Sequence, residues 1–186
     1  MINELSDFFR ENLRDYVFPG NRVAEIYHGD KHEILGELEN IISNGEKEKN
    51  GNKGVVYSIN RSQNSSSYLK KLERSPFIVL VNQSYPLENM NDLDAIVLSN
   101  FFNTYDISSQ QDINVLYENP QTYKAIDRAI NPGGYLIIHL NQTEKENERD
   151  DFPVYRSTLN EHFPRYAKVC DNEDLIVYKK HSHLKS

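Results

Sequence analysis

The stretch Tyr123–Leu140, YKAIDRAINPGGYLIIHL, constrains the fold of this chain more than any other. Tyr123, Ile126 and Ile130 recur on one helical face, with Ala125 and Ala129 close beside it. Pro132 stops such a helix, and Gly133 or Gly134 can take the positive φ that a reversal needs. Tyr135–Leu140 then holds too few polar residues for a sheet face open to water, so it reads as a strand. A helix, a tight stop and an apolar strand form the later half of a βαβ unit, in which a helix covers a parallel sheet.

The remaining segments extend that pattern in both directions. Leu5, Phe8, Phe9 and Leu13 form an apolar stripe, which predicts a helix over residues 3–15. Pro19-Gly20 turns the chain into a short strand, Arg22–Ile26. Ile34, Leu35, Leu38, Ile41 and Ile42 follow the 3.6-residue period of a second helix, and the polar run 43–53 reads as a surface loop. Strands are predicted at Gly54–Ile59, Phe77–Val81 and Asp94–Leu98, with a short helix around Tyr68–Glu73. A helix is expected from about Tyr155 to His162, followed by a terminal hairpin of Tyr166–Cys170 and Leu175–Tyr178. One domain over residues 1–180 with a flexible tail at 181–186 accounts for the chain.

Strands alternating with helices specify a doubly wound α/β fold. Right-handed crossovers align the C-terminal strand ends along one edge, where ligands bind beside the point at which strand order reverses. The candidate site is therefore the set of loops after Ile26, Ile59, Val81, Leu98 and Leu140.

Composition narrows the partners. At 186 residues the chain can bury a core without disulfide or metal support. Its net charge of -7 argues against broad nucleic-acid binding, which wants a basic face. Cys170 is the single cysteine, so no internal disulfide forms and a reducing, cytoplasmic setting is expected. No apolar run reaches the roughly 20 residues that span a bilayer, so no membrane partner is expected.

Read in order, these segments resemble a class I S-adenosylmethionine-dependent methyltransferase over almost the full chain. That family opens with a strand bearing an acidic residue and a Gly-x-Gly-x-Gly turn. In VAEIYHGDK, Val23–Lys31, Glu25 matches the acidic position and Gly29 the central glycine, while Tyr27 and Lys31 stand at the outer glycines. The family's second strand ends in an acidic residue that holds the ribose. In VVYSINR the matching position is Ser58, which brings no carboxylate. Asn82 in LVNQSYP falls where a polar residue meets the adenine. LDAIVLSNFFN, Leu93–Asn103, resembles the strand and loop that close over the cofactor, with Ser99 and Asn100 at its turn. Ala125–Ile138 is the closest match, and Tyr166–Lys180 resembles the family's last two, antiparallel strands.

The resemblance implies a Rossmann-like, mostly parallel sheet with an antiparallel C-terminal strand, and S-adenosyl-L-methionine as cofactor. It implies Glu25, Gly29, Ser58, Asn82, Ser99 and Asn100 as cofactor-binding residues, and methyl transfer to a small-molecule or protein acceptor that the sequence does not identify. The altered glycine turn leaves an alternative: an inactive scaffold working through a protein partner or self-association, with the Leu5, Phe8, Phe9 and Leu13 stripe as its surface.

Each of these residues also has a plain structural reading. Gly29 suits any strand-to-helix turn, and Ser58 and Asn60 can cap a loop as readily as they meet a ligand hydroxyl. Asn82 and Ser84 can serve a turn before Pro86. Phe101 and Phe102 can stack on a planar ligand or anchor their segment, but they replace the prolines of the Asn-Pro-Pro-aromatic signature of amino-group methylation. His28 and His32 lack further ligands for a zinc site. His139 ends near the pocket rim and has the right type for proton transfer, yet no residue is singled out as catalytic.

Overall fold

The computed structural model describes residues 7–27, 33–44, 54–60, 75–81, 90–99, 120–139, 161–172 and 175–182. Within them the elements run α1 (Asp7–Leu13), β1 (Arg22–Tyr27), α2 (Glu33–Ser43), β2 (Val55–Asn60), β3 (Ile78–Val81), β4 (Leu93–Ser99), α3 (Pro120–Ala129), β5 (Ile130–His139), β6 (Tyr166–Asp171) and β7 (Leu175–Lys180). The predicted short helix at 68–73 lies outside the described residues. So does the predicted helix at 155–162, apart from its last two residues, which are helical.

The seven strands form one sheet in the order β3-β2-β1-β4-β5-β7-β6. β3, β2, β1, β4 and β5 are mutually parallel, and β7 enters antiparallel to both β5 and β6. The doubly wound sheet with its antiparallel C-terminal strand is thus present as the sequence predicts. Strand order reverses between β1 and β4, which are hydrogen-bonded neighbours.

Strand alternation sends successive side chains into two apolar layers. On one face, Val23, Val56, Ala95, Val97, Ile137 and Val177 meet α1 and α2 through Phe9, Leu13, Leu35 and Leu38. On the other, Ala24, Ile26, Ile96, Leu98, Leu136 and Ile138 meet α3 through Tyr123, Ile126 and Ala129, with Phe163 beside them. Phe9 and Leu13 are 0% exposed. Half of the stripe offered as an interaction surface is therefore spent on the chain's own sheet. Leu5 and the Phe8 side chain lie outside the described residues.

The Pro-Gly-Gly segment behaves differently from its sequence reading. It does not separate helix from strand; β5 begins at Ile130, directly after α3. Leu93 pairs with Ile130 and Ala95 with Tyr135, so Asn131–Gly134 bulge out opposite Asp94 alone. Gly133 takes φ +83°, and a Cβ on Gly134 would stand 2.7 Å from the Asp94 carbonyl oxygen. The positive φ was legible, but it serves a bulge. Lys180 Nζ donates to the carbonyls of Asp127 and Ile130, satisfying acceptors that the end of α3 leaves open.

The terminal hairpin closes as expected. Asn172 N–H donates to the Leu175 carbonyl at 3.1 Å, and Asn172 Oδ1 accepts from Leu175 N–H at 2.9 Å. No helix among the described residues is long and apolar enough to cross a membrane.

Candidate functional site

The parallel strands end together along one edge. Tyr27 closes β1 and is in register with Asn60, which closes β2, and with Ser99, which closes β4. Ser99 is in turn in register with His139, which closes β5. One rung, Asn60–Tyr27–Ser99–His139, therefore crosses the switch point at the C-terminal edge of the sheet. Backbone at such an edge is where the fold offers a ligand its amides and loop side chains.

Two residues inward lies a second rung, Ser58–Glu25–Val97–Ile137. Its first two members are polar and its last two apolar, yet all are buried; Glu25 is 0% exposed and Ser58 2%. They share the face covered by α1 and α2, since Val23, Val56 and Val97 pack there. Ser58 Oγ has no hydrogen-bond partner. A buried unpaired hydroxyl costs roughly 1–3 kcal/mol, so the position is unusual for a core.

His139 is half-buried at the end of its strand. Its ring lies 4.3 Å from that of Phe9, with the planes 58° apart. Further along, Tyr16 meets Tyr135 with ring centroids 5.3 Å apart. The segment starting with α1 thus runs antiparallel to β5, with its beginning at the site edge and Tyr16 toward the far edge.

Of the residues predicted to bind a ligand, Glu25 and Ser58 come together as register partners, and Ser99 sits at the strand end beside the switch point. Gly29, Asn82 and Asn100 lie outside the described residues, as do His28, His32, Phe101 and Phe102. Ser58 stands two residues short of the end of β2, and Asn60 holds the end position. The available signal was strand length: β2 runs one residue beyond the predicted Ile59. Among the described residues no three His, Cys, Asp or Glu side chains gather as a metal site.

No family model matches the sequence, and no curated protein matches it. Solved structures do match its fold. A SAM-dependent O-methyltransferase from Thermotoga maritima aligns with a TM-score of 0.58 at 10% identity, over 100% of this chain and 69% of that one. A precorrin-6y C5,15-methyltransferase from Geobacter metallireducens aligns with a TM-score of 0.57 at 12% identity, over 96% and 92%. A SAM-dependent methyltransferase from Methanosarcina mazei gives 0.54 at 14% identity, over 97% and 100%. At these identities the likeness is one of architecture: the chain is built on the fold of the class I S-adenosylmethionine-dependent methyltransferases.

Proposed function

We propose that this protein binds S-adenosylmethionine across the β1–β4 switch point and transfers its methyl group to an acceptor seated over β4 and β5. The observation that carries the reading is the polar rung Asn60–Tyr27–Ser99–His139, set where strand order reverses on a methyltransferase fold. Its residue types fit such a ligand: an amide, a phenol, a hydroxyl and an imidazole offer both donors and acceptors.

When bound, the cofactor supplies an electrophilic methyl group on a sulfonium. The chain's own task is placement. Asn60, closing β2, is the residue to meet the ribose hydroxyls, its amide giving one donor group and one acceptor. Glu25 is fully buried two residues before the end of β1. Tyr27 brings a Cβ to the position where a glycine allows the closest backbone approach, which shifts recognition from backbone toward side chains. α1 and α2 seal one face of the sheet against water. An acceptor held in line behind the methyl group gains most of its rate from proximity.

Isothermal calorimetry on the pure protein tests this, with S-adenosylmethionine, S-adenosylhomocysteine and ATP as titrants. Saturable binding of the first two without ATP binding is expected. Absence of binding by all three would make the protein a scaffold on this fold, and the search would turn to protein partners.

A further inference from the structure

We propose that the outer edge of β3 pairs with the same edge of a second copy of this chain, antiparallel, about a twofold axis at Val79. β3 ends the strand order on one side and β6 on the other, so among the described residues no strand covers either outer edge. The two edges differ in how they are guarded. β6 carries an exposed Lys168 and a register shift between Lys168 and Cys170, and both features discourage further pairing. β3 carries neither. Residues 75–81, SPFIVLV, hold no charged side chain, in a chain of net charge -7. Val79, 44% exposed, leaves an apolar side chain uncovered on that strand.

Backbone register selects the mate. Val56 pairs with Ile78, and Val56 N–H donates to the Phe77 carbonyl at 2.7 Å. Alternate residues of a parallel strand turn their backbone groups to opposite sides, so Phe77 and Val79 face β2 while Ile78 and Leu80 face outward. Ile78 N–H reaches only the Ser75 carbonyl, at 3.5 Å. An antiparallel copy centred on Val79 sets Ile78 opposite the second copy's Leu80, and Leu80 opposite its Ile78, each pair exchanging two hydrogen bonds. Val79 then meets its own counterpart at the non-hydrogen-bonded position, with Cα atoms about 4.5 Å apart, and two exposed apolar side chains cover each other. Tyr57, the register partner of Val79 on β2, continues that row toward the core. Charge favours a second copy over an acidic or basic strand: the edge offers no ion partner, and two acidic chains repel least where neither presents a charge. β3 is only four residues long, so the interface is small and of the weak, exchanging class.

Sedimentation velocity on the full chain tests the pairing, in a series from about 1 μM to about 1 mM that spans the range of weak complexes. A concentration-dependent dimer is expected, tighter at high salt because screening removes the repulsion between two acidic chains. Val79→Lys sets two ammonium groups against each other at the axis and should weaken the dimer at least about tenfold. Val169→Lys, at an exposed position on the β6 edge, should leave it unchanged. A second readout does not depend on the lysine variants. Under mild oxidant Val79→Cys should form a disulfide-linked dimer at least about tenfold faster than Phe18→Cys, which is similarly exposed at 48%. A monomer throughout the series would overturn the pairing and leave the edge to a different chain. A dimer that tolerates Val79→Lys, or equal crosslinking rates for the two cysteine variants, would overturn it as well.

Discussion

Glu25 and Ser58 are register partners on adjacent parallel strands, and both side chains are buried between the sheet and its covering helices. A carboxylate and a hydroxyl side by side in an otherwise apolar layer are costly, and the hydroxyl makes no hydrogen bond. Ser58→Ala removes that unpaired group at little loss of volume. The substitution is expected to leave stability unchanged or raise it by up to about 1 kcal/mol, read as a higher urea midpoint with an unchanged slope. Because Ser58 is only 2% exposed, affinity for S-adenosylmethionine should stay within about twofold of wild type.

The two glycines of the β5 bulge separate two kinds of strain. Gly133 has φ +83°, and a Cβ there would make only an ordinary contact, with Ser182 Oγ at 3.4 Å. Gly133→Ala should therefore cost only the left-handed backbone penalty, about 1–2 kcal/mol. At Gly134 a Cβ meets the Asp94 carbonyl oxygen at 2.7 Å and Ile130 Cγ2 at 2.8 Å. Backbone must move there, so Gly134→Ala is expected to cost more, about 2–3 kcal/mol or above. Denaturant unfolding of the two variants side by side gives the order; the reverse order would mean that the bulge is not packed against β4 in this way.

That bulge also marks what sequence reasoning could and could not reach. Period and alternation identify the strands, and the apolar run after Gly134 identifies a central one. Pro-Gly-Gly announces a positive φ, but a chain reversal and a bulge both use one. Only the partner strand decides, here through Leu93 pairing with Ile130 and Ala95 with Tyr135. The end of β2 is decided in the same way. Asn60 has little strand propensity of its own, yet it continues the ladder because Tyr27 is there to pair with it. That single residue changes which position closes β2.

Tyr166 is buried with its hydroxyl unpartnered, and burial raises its pKa well above the ordinary 10.0, opposed by the neighbouring Arg165. A raised folded pKa means that the folded state holds the proton more tightly than the unfolded chain. The resulting stability is fully present below about pH 10 and is lost as pH rises above 10 toward the folded value. Tyr166→Phe is expected to remove this alkaline loss, and to stabilise the protein at pH 7 by up to about 1 kcal/mol through deletion of the unpaired hydroxyl. Thermal melts of both proteins at pH 7 and near pH 11 check the sign.

Lys180 joins the last strand to α3. Its ammonium donates to the Asp127 and Ile130 carbonyls and lies 3.4 Å from the Asp127 carboxylate, which Arg165 also contacts. Desolvation first, and Arg165 second, lower its pKa below the ordinary 10.5. A lowered lysine pKa makes stability rise with pH between the folded value and 10.5, opposite in sign to Tyr166. Lys180→Met keeps the stem but strands two carbonyl acceptors and is expected to cost about 1–3 kcal/mol. Hydrogen exchange at the amides of α3 should accelerate in this variant while exchange in β1 and β2 changes little.

Asn60 offers the sharpest test of the proposed ligand. It closes β2 beside Tyr27, and a neutral amide there can give a ribose only ordinary hydrogen bonds. Asn60→Asp is nearly isosteric and supplies a carboxylate, which accepts from both ribose hydroxyls in charge-assisted bonds. Such bonds are worth about 1.5–3 kcal/mol against roughly 0.5–1.5 for neutral ones, so affinity for S-adenosylhomocysteine should rise about five- to tenfold. Adenine alone lacks the ribose and should show no gain. An equal effect on both ligands would instead point to a change in the fold or in the field of the site. An unchanged affinity for both would remove Asn60 from the ribose and return that role to the loops beyond β1 and β3.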